Sequence, residues 1–258
     1  MRLSVYHETT YHYDDQVRNS IQYLRLTPQE SERQRVISWQ LDLPRPARAQ
    51  RDPFGNTLHV LTLDEPHERI VISASGQVEI NAECEVENDG HEVLPYCRFT
   101  RLTQADGALR AFALESCGDA RDRKALASLM YAIADCMVYR PRATRVDSTA
   151  AEAFAGGAGV CQDHTHAFLA CCRSLGIPSR YVSGYLLTEN SSHMASHAWA
   201  EAWVEGGWYS FDVSNRLTRP ERHLKLAVGM DYLDACPVRG VRRGGGSEQM
   251  HAQVQVQQ

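Results

Sequence analysis

Apolar and polar residues alternate with a period of two through much of residues 1–95. Apolar side chains occupy positions 37, 39, 41 and 43, for example, which is typical of strands buried on one face. Turn-forming residues interrupt this alternation at 52–56 and predict a turn at Ser75-Gly76. The β-rich runs are residues 2–13, 36–43, 58–63 and 70–80. Several short strands at this spacing predict a small antiparallel β-sandwich.

The pattern changes to a helical period in the second half of the chain. Residues 126, 129, 130, 133 and 137 form one apolar face, which predicts a helix over 119–137 with Asp119 as its N-cap. Further helices are predicted over 147–156 and 161–175, the latter ended by Gly176 and Pro178. Strands are predicted over 180–187, 197–204 and 208–213, with Gly206-Gly207 as a hairpin loop, and a last strand over 252–256.

These patterns predict an α+β protein of two parts. A β-rich N-terminal domain covers residues 1–98 and a mixed helix-and-strand domain covers residues 99–258. We place the boundary between residues 88 and 110, where Asn88-Asp89-Gly90 interrupts the strand pattern, and expect each part to have its own core.

Composition and charge narrow the function classes. The 258 residues are 43% hydrophobic and 23% charged, which is ordinary for a folded globular protein. The net charge of −5 and the absence of a sustained basic run argue against nucleic-acid binding. No window is long and apolar enough for a membrane helix, and the first residues turn polar too early for a signal peptide. We therefore expect a cytoplasmic protein with no nucleic-acid or membrane partner.

One of the eight cysteines has a distinctive setting. No C-x-x-C motif is present, and free thiols are expected for a chain of this length without a signal peptide. Cys161 follows the glycine-rich run Gly156-Gly157-Ala158-Gly159 directly, where a helix is predicted to begin. The free N–H groups and partial positive charge of a helix N-terminus stabilise a thiolate and can bind an oxyanion. This position predicts a nucleophile, whereas a cysteine taken alone is more often a buried structural residue.

A thiolate that attacks a carbonyl needs a partner to carry the proton. His197 opens a predicted strand and Asp212 lies near the end of the next one. A two-residue loop at Gly206-Gly207 would place Asp212 on the same face as His197 but four residues away along the ladder. In an ideal ladder that offset is too long for contact, so the pair needs a bulge, extra twist or a different loop.

Four sequence blocks together resemble the bacterial transglutaminase-like superfamily. They are Gly159-Val160-Cys161-Gln162-Asp163, the run from Gly176-Ile177-Pro178 to Gly184-Tyr185-Leu186, Ser196-His197-Ala198-Trp199, and Phe211-Asp212. The strand-rich first half is similar to the N-terminal region that accompanies this core in many bacterial members. One difference is visible: many members continue the Asp with Pro-Thr-Asn, whereas Val213-Ser214-Asn215 stands here.

The resemblance implies a papain-like core with a catalytic Cys161, His197 and Asp212 as nucleophile, base and orienting carboxylate. It implies cysteine-dependent acyl transfer at amide bonds of a peptide or protein through a thioester, without a cofactor. We expect hydrolysis rather than transglutamination. Trp199, Trp203, Gln162 and Tyr185 could line the cleft or hold the catalytic residues, although structural roles are the simpler expectation for all four.

Two alternatives remain open at this stage. One is a non-catalytic module that binds a peptide or partner protein on the same fold. The other is a zinc protein using Cys161, His164 and His197, to which Asp163, His166 and His193 could add ligands. His164 and His166 are two residues apart on a predicted helix and point to different sides, so we expect no metal there.

Overall fold

A computed structural model describes residues 1–188 and 196–258 and confirms the α+β class, with two large antiparallel sheets. The strands are β1 (Arg2–Thr27), β2 (Gln34–Asp42), β3 (Arg48–Arg51), β4 (Thr57–Leu63), β5 (His67–Ile80), β6 (Val86–Glu87), β7 (Val138–Tyr139), β8 (Ala158–Gly159), β9 (Ser179–Leu186), β10 (His197–Val204), β11 (Gly207–Phe211), β12 (His223–Gly229), β13 (Val238–Gly244) and β14 (Glu248–Gln257). The helices are α1 (Gly107–Cys117), α2 (Arg123–Cys136), α3 (Ala150–Gly156), α4 (Cys161–Ser174) and α5 (Tyr232–Ala235), with a 3-10 turn at Leu94–Cys97.

The first sheet is organised by β1, which is 26 residues long. Its N-terminal half lies between β5 and β14, and its C-terminal half lies between β4 and β13. The pairing with β5 shifts register between His12 and Val17, where exposed Asp14 and Asp15 separate the two halves. The strands of the predicted sandwich are therefore hydrogen-bonded into one seven-stranded sheet that continues through β1.

The second sheet has the order β12-β9-β10-β11-β6 and carries the central helix α4. Every residue of α4 from Asp163 to Arg173 is buried, because α1, α2 and α3 pack around it on the side away from the sheet. Arg173 is buried here and donates to the carbonyls of Tyr96, Ser179 and Met230. These contacts fix the helix that begins at Cys161.

Strand pairings connect the two parts across the predicted boundary at residue 98. β6 lies in the first part but pairs with β11, and β13 and β14 lie in the second part but pair with β1. Tyr185 and Leu224 of the second sheet also pack into the core of the first. The division into 1–98 and 99–258 stays a prediction, while the sheets themselves are completed by both parts.

Side chains of the first part also cover the outer edge of β12. The Gln34 amide accepts from the N–H of Lys225 at 2.9 Å and donates to its carbonyl at 2.8 Å. The Asn56 amide does the same with Val228, at 2.8 and 2.7 Å. These two amides take the place of a neighbouring strand and satisfy edge groups that would otherwise be open to pairing.

Several predicted elements are confirmed and others need correction. The helix at 161–175 and the strand at 197–204 agree with α4 and β10 within a residue. The predicted tail strand lies within β14. The helix predicted over 119–137 starts later, because Asp122 rather than Asp119 is its N-cap and accepts from Ala125 N.

Two predicted turns are placed differently in the structure. β5 runs unbroken through Ser75-Gly76, and a Cβ on Gly76 would lie 2.2 Å from the Ser38 carbonyl oxygen, so this glycine permits close strand packing. The hairpin loop between β10 and β11 is Glu205-Gly206, both at positive φ, rather than Gly206-Gly207. That one-residue difference changes the register that brings the candidate site together.

Candidate active site

Cys161 is the first residue of α4, half-buried, at the end of a tightly fixed loop. The loop is held by Asp163, whose Oδ2 accepts from Val160 N at 2.8 Å and Thr144 Oγ1 at 2.7 Å. A Cβ on Gly159 would lie 2.5 Å from Asp163 Cβ, so only glycine leaves room for this carboxylate. Cys161 therefore sits where the unpaired N–H groups of the first helical turn are available to an anion.

The corrected hairpin explains how Asp212 reaches His197. Ala200 pairs with Phe211 and Val204 with Gly207. Continuing this register by one residue puts Asp212 opposite Trp199, only two positions from His197 and on the same face of the sheet. His197 Nε2 donates to Asp212 Oδ2 at 2.7 Å. The four-residue offset expected from the sequence was wrong because the loop was placed one residue too late.

Asp212 is buried and accepts hydrogen bonds on both carboxylate oxygens. Oδ2 accepts from His197 Nε2, from His223 Nε2 at 2.9 Å and from Asn215 Nδ2 at 2.9 Å. Oδ1 accepts from Ser214 Oγ at 3.1 Å and from Asn215 N at 3.2 Å. Burial alone would raise the pKa of Asp212, but the charge and hydrogen bond of His197, with the bond from His223, hold it well below its usual range. The carboxylate is ionised at neutral pH.

The charge of Asp212 in turn controls His197, whose side chain is 11% exposed. Burial would lower the pKa of His197, but the charge and hydrogen bond of Asp212, and then the neighbouring Cys161, raise it to about 10. Because Nε2 is directed at Asp212, Nδ1 is the ring nitrogen left for the thiol. The arrangement can hold an imidazolium between a thiolate and a carboxylate at neutral pH.

Three further residues at the site were missed by the sequence reasoning. His223 is fully buried. Asn215 bonds Asp212 and lies in Val213-Ser214-Asn215, the segment that differs from the Pro-Thr-Asn of many family members. Tyr139 lies on β7 next to the Cys161 loop, and burial, followed by the charges of Cys161 and Asp212, raises its pKa. No sequence spacing indicated His223 or Tyr139, because both reach the site through strand pairing with distant segments.

The other side chains considered as cleft or supporting residues have mainly structural contacts. Trp199 is fully buried and stacks on His197, with ring centroids 6.1 Å apart. Tyr185 Oη lies 2.6 Å from His7 Nδ1 of the first sheet, and Gln162 Nε2 donates to the Val146 carbonyl. Trp203 stacks edge-to-face on the buried Trp208.

The geometry does not favour the zinc site considered from the sequence. Both ring nitrogens of His164 face backbone carbonyl oxygens, those of Val160 at 2.9 Å and Met137 at 3.0 Å. His166 accepts from Tyr232 N, and His193 lies outside the described residues. Within residues 1–188 and 196–258, one group has the spacing of metal ligands, formed by His197, Asp212 and His223. Hydrogen bonds already join these atoms, so a metal ion would have to replace protons.

All eight cysteines are free thiols, and they differ in access. Burial raises the pKa of Cys117, Cys171 and Cys172. Cys136 is exposed at the end of α2 and is a suitable internal reference for thiol reactivity. Cys161 is distinguished by its helix N-terminus and its histidine.

Comparisons with known proteins agree with the resemblance seen in the sequence. Residues 3–79 match the bacterial transglutaminase-like N-terminal region, and residues 110–213 match the transglutaminase-like superfamily. The chain is 30% identical to the uncharacterised protein ML0607 of Mycobacterium leprae, covering 99% of this chain and 98% of that protein. It is also 30% identical to the uncharacterised protein Rv2569c of Mycobacterium tuberculosis, covering 93% and 87%.

A solved structure shares the whole fold. It is described as a candidate cysteine protease from Cytophaga hutchinsonii and superposes with a TM-score of 0.81, covering 100% of this chain and 90% of that one. At 21% identity this similarity supports the fold alone. In the described part of the chain, no helix has the length and apolarity needed to span a bilayer.

Proposed function

This chain belongs to the transglutaminase-like superfamily, and from that premise we propose that it is a cysteine-dependent acyl-transfer enzyme acting on amide bonds of a peptide or protein. One observation carries the proposal: the 2.7 Å bond from His197 to Asp212, beside Cys161 at the start of a buried helix. A helix terminus, an imidazole and an orienting carboxylate together are what thiol-based acyl transfer requires.

In the first half-reaction, the Cys161 thiolate attacks the amide carbonyl carbon and forms a C–S bond. The carbonyl oxygen becomes an oxyanion that accepts from the Cys161 N–H at the helix N-terminus. His197 then gives its proton to the amide nitrogen, the C–N bond breaks, and the amine leaves. The product is a thioester on Cys161, while Asp212 keeps the now neutral imidazole in position.

In the second half-reaction, His197 accepts a proton from the incoming nucleophile, which attacks the thioester carbonyl. Collapse of the tetrahedral intermediate breaks the C–S bond and restores the thiolate–imidazolium pair. Water gives a carboxylic acid and therefore hydrolysis, whereas a primary amine gives a new amide. We propose hydrolysis because water is the smaller nucleophile and far more concentrated than any amine.

The experiment measures thiol reactivity first and turnover second. Intact-mass measurement during iodoacetamide titration at pH 6, followed by tryptic mapping, should show Cys161 modified before Cys136. A peptide library then reports hydrolysis, and a glutamine-containing protein with a labelled primary amine reports transamidation. Cys161→Ala should abolish either product. An inert Cys161 in the folded protein would favour the binding-module alternative instead. The cytoplasmic location and the absence of nucleic-acid partners remain proposals.

A further inference from the structure

His223 bonds the same oxygen of Asp212 as His197 does. It is the first residue of β12, is 1% exposed, and donates from Nε2 to Asp212 Oδ2 at 2.9 Å. Its ring packs edge-to-face on Trp199, with centroids 4.8 Å apart. Nδ1 has no hydrogen-bond partner in the described residues. The ring is therefore fixed by packing and by its single bond to the carboxylate.

The groups around His223 favour its neutral form. Burial lowers the pKa of His223, and the positive charges of His197 and Arg33 act in the same direction, while Asp212 opposes them. A carboxylate can only accept, so the single ring proton lies on Nε2. A neutral donor orients Asp212 without adding a second cation, and the ionic partner of Asp212 remains His197.

The strand that carries His223 is held in place by the first part of the chain. β12 pairs with β9 on one side, and on the other side the amide of Gln34 bonds the backbone of Lys225, two residues from His223. Arg33, adjacent to Gln34, is buried and is one of the charges that act on His223. A physical link therefore runs from the first sheet through β12 to Asp212.

We propose that His223 is a positioning residue that orients Asp212, and that the N-terminal part supports this role by fixing β12 through Gln34. The role rests on the proposed function, because it matters for activity only if Cys161 and His197 form a reactive pair. Through Gln34, the first part of the chain then contributes to the geometry of the candidate active site.

Three substitutions at position 223 separate orientation from packing. The amide nitrogen of glutamine can occupy the place of histidine Nε2, so His223→Gln keeps the donor, whereas His223→Asn carries a similar amide that is too short. His223→Leu keeps bulk but has no donor. We measure the alkylation rate of Cys161 at pH 6 in each, with His7→Gln as a control at a buried histidine of the first sheet.

We expect His223→Leu and His223→Asn to lower the rate about tenfold, the low end of what a hydrogen bond to a charged group contributes. His223→Gln should stay within about threefold of the wild type. Equal rates in all variants would overturn the proposal, as would equal losses in His223→Gln and His223→Asn. If His223→Leu does not fold, the comparison of His223→Gln with His223→Asn still tests the proposal.

The contribution of the N-terminal part is tested by a double-mutant cycle. Gln34→Met removes both hydrogen bonds to Lys225 at similar length. We expect it to lower the alkylation rate about threefold in the wild type and to have no further effect in His223→Leu. The same factor in both backgrounds would show that Gln34 acts independently of His223 and would refute the link.

Failure of this inference can be distinguished from failure of the proposed function. If wild-type Cys161 reacts no faster than Cys136, the proposed function fails, and the positioning role is then tested by NMR. The low-field proton of His197 bonded to Asp212 should be present in the wild type and His223→Gln and be lost or shifted in His223→Leu. An unchanged signal in His223→Leu would contradict the role.

Discussion

Replacing Asp212 by asparagine tests the electrostatics of the site most directly. The substitution keeps the shape of the side chain but removes the charge that opposes the burial of His197. Without that charge, burial favours neutral His197, so the imidazolium beside Cys161 is lost at neutral pH. We expect Cys161 to react with iodoacetamide like an ordinary thiol, while the fold is retained.

The size of the effect follows from thiol ionisation. An ordinary thiol ionises near pH 8.5, so about 0.3% of it is thiolate at pH 6, and this sets an upper limit of about 300-fold on the loss of rate. A more basic thiolate is also more nucleophilic, and a Brønsted slope of about 0.4–0.5 offsets about 10- to 50-fold of that limit. The expected net decrease in the alkylation rate at pH 6 is about 6- to 30-fold.

The assay is iodoacetamide alkylation from pH 5 to 10, followed by intact mass and mapped to Cys161. The wild-type rate should be high and nearly flat from pH 6 to 9, whereas Asp212→Asn should show a rate that rises with pH. Asp135→Asn, which removes an exposed carboxylate paired with Arg216, is the matched control. Coincident pH profiles for the wild type and Asp212→Asn would refute the reasoning.

Stability provides a second readout of the same substitution. Asp212 has a lowered pKa, so its contribution is present above its unfolded value of 3.8 and is lost as the pH falls. His197 has a raised pKa, so its contribution is present below 6.5 and is lost as the pH rises towards about 10. The loss of unfolding free energy in Asp212→Asn should therefore be largest between about pH 4 and 6.5. Urea denaturation across this range measures it.

Two further substitutions and one truncation test the framework around the site. Gly159→Ala should destabilise the fold by about 1–3 kcal/mol and slow Cys161 alkylation, since its Cβ meets Asp163 at 2.5 Å, whereas Gly156→Ala has open space and should change neither. Glu201→Gln breaks the buried ion pairs of Glu201 with Arg180 and Lys225 and should cost about 3–5 kcal/mol in urea denaturation. Because Lys225, Arg180 and Arg33 together outweigh burial and lower the pKa of Glu201 to about 2, this loss should shrink as the pH falls from 4.5 towards 2. Removal of residues 248–258 takes away two buried valines and should cost roughly 3–6 kcal/mol, seen as a lower melting temperature.

The parts of the fold predicted correctly are those whose signals are local in the sequence. The start of α4 at Cys161 follows from glycines before it, and its end from Gly176 and Pro178 after it. The strand at 197–204 follows from alternation within itself. Errors of one to three residues arose where several residues suit the same role, as at Asp119 and Asp122, both good N-caps.

The parts that could not be predicted depend on pairing between distant segments. The His197–Asp212 contact was expected, but its geometry required knowing that Glu205 adopts positive φ, which is uncommon outside glycine. His223 reaches Asp212 because β12 pairs with β9. These two strands are far apart in the sequence, so no local pattern indicates the contact. Likewise, alternation near residue 254 predicts a strand but not that β1 is its partner.

The pairing of β1 with β14 has a consequence for synthesis of the protein on the ribosome. Ser4 is opposite Gln257, so one side of the N-terminal half of β1 has no partner until residues 248–257 have been made. At about 5–20 residues per second, that side waits roughly 12–50 s after β1 emerges. During this interval an alternating apolar strand edge is open to intermolecular pairing. The nascent chain should therefore need protection by a chaperone until β14 has emerged and paired with β1.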